Sequence, residues 1–223
     1  MASVRTFQLP HYHAYPIHVA LFKDVANASH LRRQLLDANP HFDYAFLDAS
    51  MIVSPQHLLS ATFIALHNFL TSRSKTRTPH SELVFRLSPN NNIGESYKKF
   101  GISDASTQII AVKLPLSASP PDGTYVKDES ITNQTVSAHL GNVVHGSSIE
   151  IADNGQELGS FCQLDKVCKV YKLASADRAS RSNTTTTTTN TKQANGENHG
   201  NDSQDQKAYI ESLVLGAMAL KGS

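Results

Sequence analysis

The sequence predicts a single α/β domain: a small mixed sheet flanked by helices and completed by a C-terminal amphipathic helix. Three observations carry that prediction. Ile17, Val19 and Leu21 alternate with His18, Ala20 and Phe22, the period of a strand with one strongly apolar face. Ile109-Ile110-Ala111-Val112 is continuously apolar, as in a strand covered on both faces. Between them runs a long helical pattern opened by Ser54-Pro55, a hydroxyl cap followed by proline at the first helical position. Strands separated by helices favour this class over an all-helical bundle, and 223 residues can bury one ordinary core or two very small ones.

The first strand leads, past Lys23-Asp24-Val25, to a short helix that Asn27 or Ser29 can cap, with Leu31, Leu35 and Ala38 inward and Pro40 ending it. Met51-Ile52-Val53 reads as buried segment of either type. The helix from Ser54 to about Ser72 carries Leu58, Thr62, Ala65, Leu66 and Phe69 inward, and Leu59, Phe63 and Leu70 widen that stripe. Leu83, Phe85 and Leu87 alternate with Val84 and Arg86, which predicts a second strand stopped by Ser88-Pro89-Asn90-Asn91. Asn92 with Glu95 predicts a capping box, Gly101 a left-handed stop, and Ile93, Tyr97 and Phe100 the inner face of the helix between them.

After the strand at 108–113, residues 117–122 with Pro120-Pro121 read as a loop. Ile131, Val136 and Leu140 suggest a helix within 129–145, and Ile149-Glu150-Ile151 a short strand or edge. Asp165 can cap a single turn leading into a last strand at 170–173. Residues 1–173 thus form the main body. From 174 to 206 six consecutive threonines and a run of Asn, Gln, Gly and Ser lack the apolar residues to offset ordering entropy, which predicts disorder. Residues 207–223 regain a helical pattern: Ile210, Leu213, Val214, Ala217 and Met218 stand at i, i+3, i+4, i+7 and i+8, with Tyr209 and Leu220 beside them. Gly216 on that helix permits close approach of another helix or backbone.

Composition narrows the function. A net charge of +1 with 17% charged residues gives no global field that demands nucleic acid or membrane. The best N-terminal apolar stretch, 17–22, is broken by His18, so secretory and membrane-spanning readings both fail. Cys162 and Cys168 read as a reduced thiol pair of a cytosolic or nuclear protein. Eleven histidines invite a metal, yet His11-x-His13, His57 and His67 have no acid or cysteine at ligand spacing. No phosphate loop, nucleophile elbow, zinc-protease or dinucleotide motif is present, so the expectation is a protein without catalysis or cofactor.

Four blocks, LFKDVANASHLRR at 21–33, KTRT at 75–78, SELVFRLSPNNNIGESYKKFGIS at 81–103 and KVYKL at 169–173, resemble one family closely: the small kinase-binding subunit of the KEOPS/EKC complex. The resemblance covers about 17–173 and resumes in the final helix. It implies a non-catalytic subunit that docks on the atypical kinase/ATPase of the complex, beside other KEOPS subunits. That assembly makes threonylcarbamoyladenosine in tRNA, and this subunit is expected to help hold the acceptor end. It also implies that 174–206 is an insertion, that the protein works in nucleus and cytoplasm, and a link to telomere maintenance and transcription.

Two sites follow as expectations. Residues 71–113 carry seven Lys or Arg against three Asp or Glu, so Arg73, Lys75, Arg77, Lys98 and Lys99 are the expected tRNA contacts, with an ordinary solvated face as the alternative. The expected kinase-binding anchors are Ile210, Leu213, Val214, Ala217 and Met218, the spacing by which a helix fills a groove. The competing use of that stripe is the subunit's own core. A stand-alone RNA-binding protein using the 73–99 basic patch is the alternative function.

Overall fold

A computed structural model of the chain describes residues 1–119, 124–173 and 199–221, with backbone only for 199–203. Its organising element is β2 (Ile17–Lys23), buried along almost its whole length. One edge of β2 pairs antiparallel with β4 (Ile109–Lys113), placing Val19 opposite Val112 and Leu21 opposite Ile110. Its other edge is shared: β1 (Arg5–Phe7) covers the first half and β7 (Ser147–Ile149) the second, both antiparallel. Beyond β4 lies β3 (Ala45–Asp48), also antiparallel. Every described ladder is therefore antiparallel, where a mixed sheet was expected; the α/β class itself holds.

The sheet is buried on both faces, which explains the unbroken apolar runs. Ile17, Val19, Leu21, Leu47, Ile110 and Val112 face the larger core, with α2 (Pro55–Leu70), α3 (Pro79–Leu87), α4 (Ile93–Phe100), α6 (Leu164–Tyr171) and α7 (His199–Lys221). The opposite face, with Ala20, Phe22, Phe46, Ile109 and Ala111, is covered by α1 (Ala28–Leu36) and α5 (Asn133–Val143). A hairpin of β5 (Leu116–Ser119) and β6 (Thr124–Lys127) stands apart as a second sheet, so 117–119 is strand where a loop was expected.

Local chemistry explains most helix ends. The Ser54 side chain accepts from His57 N–H, with Pro55 in the first turn, as the sequence predicts. Asn92 caps α4 by accepting from Glu95 N–H at 3.0 Å, but Glu95 turns to Lys98 rather than back to Asn92. Gly101 is extended, not left-handed (φ −73°, ψ 165°); a Cβ there would stand 2.7 Å from the Tyr97 carbonyl oxygen. Asn27 does precede α1, yet its side chain bonds Val143 O and His145 N–H, tying α1 to the end of α5. Helix α1 ends at Leu36, and Pro40 opens a separate 3-10 turn.

Two expected strands are helices. Residues 83–87 belong to α3, which Thr78 caps by accepting from Ser81 N–H, with Pro79 at its start. Because α3 is enclosed all round, every residue from Glu82 to Leu87 is buried, and an enclosed helix shows no amphipathic period to read. Residues 170–171 end α6, whose Val167, Cys168 and Tyr171 form a buried i, i+1, i+4 stripe. Lys172 stops it in a left-handed conformation (φ 55°, ψ 35°). The expected disordered stretch lies outside the described residues from 174 to 198, whereas 199–206 is already helix, so α7 begins eight residues before the expected 207.

Candidate functional site

The basic loop joins α2 to α3. Arg73, Lys75 and Arg77 are exposed, alternating with half-buried Ser74, Thr76 and Thr78. A carboxylate beneath sets that alternation. Glu82 is 0% exposed, and its Oε2 accepts from Lys75 N–H (2.9 Å), Thr76 N–H (3.1 Å) and Thr76 Oγ1 (3.0 Å). Its Oε1 accepts from Arg86 Nε at 2.8 Å, one turn along α3. With its amide turned to face the guanidinium, Asn68 accepts from Arg86 Nη2 at 2.8 Å. A buried ion pair is tolerated only when its remaining hydrogen-bonding capacity is met. Here the capacity left on Glu82 is met by loop backbone, so the pair fixes the loop's path.

The two lysines of α4 stand differently. Tyr97 OH donates to Ser81 Oγ at 2.7 Å, holding α4 against the first turn of α3, just after the basic loop. Lys98 is exposed and pairs with Glu95 at 2.8 Å, an exposed pair of little energetic weight. Lys99 instead lines a recess with Ser88, Pro89, Asn90, Lys169 and Lys172. The five expected RNA contacts thus divide into a clamped loop, a paired lysine and a lysine at another recess.

Helix α7 separates its own stripes in the same way. Ile210, Val214 and Met218, spaced i, i+4, i+8, are buried in the larger core, so they serve the internal packing that was the competing reading. Leu213 is half-buried and Ala217 packs at the core's margin. Tyr209 (51% exposed) and Leu220 (78%) stand outward. At Gly216 an added Cβ would meet nothing within 4 Å, so the close approach the glycine permits is toward the outside of the subunit. Tyr209, Leu213, Gly216 and Leu220 follow at i, i+4, i+7 and i+11, one strip beside the buried one.

Polar contacts pin α7 along its length. Lys207 Nζ donates to Gly159 O at 3.0 Å, and Ser54 Oγ donates to Glu211 Oε1 at 2.5 Å. Lys221 Nζ donates to the carbonyls of Phe85, Ser88 and Asn90 and lies 3.5 Å from the Phe85 ring centroid. Burial, with Arg86 nearby, pulls the Lys221 ammonium down to about 8.

Two histidines of the interior are engaged in structure. His80 donates from Nδ1 to Asp43 Oδ1 at 2.8 Å, the beginning of a catalytic dyad. Its Nε2, however, accepts from Leu114 N–H at 3.0 Å, so the lone pair that a base needs is occupied. His57 accepts from Val53 N–H and bonds Tyr171 OH at 3.1 Å; full burial holds it down to about 3. Tyr171 OH in turn donates to Leu87 O, joining α2, α6 and α3. Burial pushes the Cys162 thiol up to about 11, away from a reactive thiolate. Among the described residues no group of three or more His, Cys, Asp or Glu is placed to hold a metal ion, and no helix is long and apolar enough to cross a membrane.

Comparison with known proteins decides the family. The sequence model of the kinase binding protein CGI-121 family matches residues 22–222. The chain belongs to that family. It is 53% identical to the EKC/KEOPS complex subunit CGI121 of Phaeosphaeria nodorum, over 99% of this chain and all of the relative. It is 37% identical to the EKC/KEOPS complex subunit of Aspergillus fumigatus (99% and 97% covered) and 30% to that of Schizosaccharomyces pombe (74% and 86%). The relatives are named as complex subunits.

Sequence reading missed Glu82, Arg86 and Lys221, the residues that hold the presented groups in place. Only the i, i+4 spacing of Glu82 and Arg86 hinted at them.

Proposed function

We propose that this chain is a non-catalytic docking subunit of the KEOPS/EKC complex. It binds the atypical kinase/ATPase through the outer strip of α7 and supports threonylcarbamoyladenosine formation by offering Arg73, Lys75 and Arg77 to tRNA phosphates. The observation that carries the reading is the strip itself: Tyr209, Leu213 and Leu220 around an open Gly216, on a helix already anchored by a separate buried stripe. A partner helix can lie against Gly216 while Leu213 and Leu220 enter its groove. The reading carries with it work in nucleus and cytoplasm, the other KEOPS subunits as neighbours, and a part in telomere maintenance.

The test is co-purification with the kinase subunit, then tRNA binding with and without it. Leu213→Glu should weaken kinase binding at least about tenfold, since burying a leucine contributes roughly 1.5–3 kcal/mol, while the melting temperature stays near that of the parent chain. Full kinase binding by both Leu213→Glu and Leu220→Glu places the interface elsewhere. If the chain alone binds tRNA as tightly as the complex does, the stand-alone RNA-binding alternative is the better one.

A further inference from the structure

The recess that Lys99 lines lies between the 88–90 turn, α4 and the end of α6, with a volume of about 250 Å3. Its charged lining is Lys99, Lys169, Lys172 and Glu95. Glu95 is engaged by Lys98 at 2.8 Å. No ion pair among the described residues includes Lys99, Lys169 or Lys172. Among the described residues, three lysines therefore line one concavity against a single carboxylate that Lys98 already engages, although the chain as a whole carries a net charge of only +1.

The floor of the recess is ordered. Ser88 Oγ accepts from Asn90 N–H at 3.1 Å, and Asn90 Oδ1 accepts from Asn92 N–H at 2.9 Å, which leaves the Asn90 amide NH2 as a donor. From behind, Lys221 holds the carbonyls of Ser88 and Asn90 at 2.7 Å each. The end of α6 would otherwise repel an anion, but the Cys168 and Lys169 carbonyls are capped by the N–H groups of Leu173 and Lys172. Lys172 occupies the left-handed position that glycine usually fills at a helix end (φ 55°). A lysine there is less stable than a glycine, because its Cβ crowds the backbone in that conformation.

We infer that this recess is a binding site for a phosphoryl group. Three lysines suit a phosphate better than a carboxylate, because they act as point charges around an anion that can carry two charges and several acceptor oxygens. The volume lies below that of ordinary small-molecule pockets, which fits a phosphate with little attached to it. The group can come from a free phosphorylated metabolite or from an RNA backbone. This inference stands apart from the proposed function, because it does not involve Arg73, Lys75 or Arg77.

The experiment is an NMR titration of the full chain, following backbone amides, with inorganic phosphate, adenosine monophosphate and a short single-stranded RNA as separate probes. Shifts should concentrate on Asn90, Lys99, Lys169 and Lys172. Lys172→Gly removes one charge at a position that prefers glycine, so folding is not at risk. It should weaken binding about fivefold, and Lys169→Ala combined with Lys172→Gly should abolish it. Saturation by phosphate or the mononucleotide at concentrations where RNA is no better identifies a free ligand; RNA binding at least tenfold tighter identifies the backbone. Reversing Arg73, Lys75 and Arg77 to Glu should leave phosphate binding intact. No localised shift with any probe, or Lys172→Gly binding as tightly as the parent chain, overturns the inference.

Discussion

The basic loop and the outer strip of α7 both present side chains to solvent, but they rest on opposite kinds of support. Arg73, Lys75 and Arg77 stand on a buried ion pair, since Glu82 grips the loop backbone while Arg86 balances its charge. Tyr209, Leu213 and Leu220 stand on hydrocarbon, with Ile210, Val214 and Met218 one strip over and fully packed. The polar support is directional and fixes where individual backbone amides lie. The apolar support is non-directional and strong, and it orients a whole helix without choosing any one atom. Altering a support and altering what it presents should therefore leave different signatures.

The largest effect is expected at the apolar support. Val214→Glu places an unpaired carboxylate in the larger core and should destabilise the fold by more than about 4 kcal/mol, read as unfolding by circular dichroism. Leu213→Glu, one residue away on the helix, should leave the same measurement unchanged. Should the two variants melt alike, the division of α7 into inner and outer strips is wrong.

Next comes the polar support. Glu82→Ala leaves the Arg86 guanidinium buried without its partner and should cost about 3–5 kcal/mol. Replacing both residues, with Glu82→Leu and Arg86→Met, should restore most of that stability. The Lys75 and Thr76 amides should nevertheless exchange with solvent as fast as in an open loop. Protection retained at those amides in the double variant means that the loop holds its own shape.

Acid should weaken the junction of α2, α6 and α3 by a comparable amount. His57 is held at about 3, against an ordinary value near 6.5, so the folded chain keeps it neutral where the unfolded chain protonates it. Its contribution is complete above pH 6.5 and is lost as pH falls toward 3, at about 1.4 kcal/mol per unit. Denaturant titrations at pH 7 and pH 5 should differ by about 2 kcal/mol from this group. His57→Gln should shrink that difference; an undiminished difference assigns the acid sensitivity to other groups.

The smallest effect concerns presentation by the loop. Reversing Arg73, Lys75 and Arg77 to Glu should leave the melting temperature alone and lower the slope of log affinity for tRNA against log salt by about two. An unchanged slope removes this loop from the phosphate-contacting surface.

What the sequence revealed follows the same division. The strand at 17–22 was legible from its alternation, although the structure buries both its faces and not one, the strand at 109–112 from its unbroken apolar run, and α2 because Ser54-Pro55 announces it. Thr78-Pro79 is the same signal, yet α3 read as a strand because the alternation of Leu83, Phe85 and Leu87 masked a helix buried on all sides. The short strands β1 and β3 escaped because runs this brief show no period to read, and the partner of β3 is besides remote in sequence. The charges of the loop and the apolar width of α7 were visible; which half of that width is buried depends on α2, α3 and α6 packing against it. Glu82 looked like any surface acid, for nothing in the order of residues tells that loop amides will close over it.

The placement of β2 has a consequence for synthesis. Its first partner strand, β1, precedes it, but β4 begins only at Ile109 and β7 at Ser147. A ribosome adding ~5–20 residues per second leaves residues 17–22 with one long edge open for about 5–20 s. During that time the longest described strand of the protein depends on the nascent chain's surroundings, not on its native neighbours, to keep it from pairing with another copy.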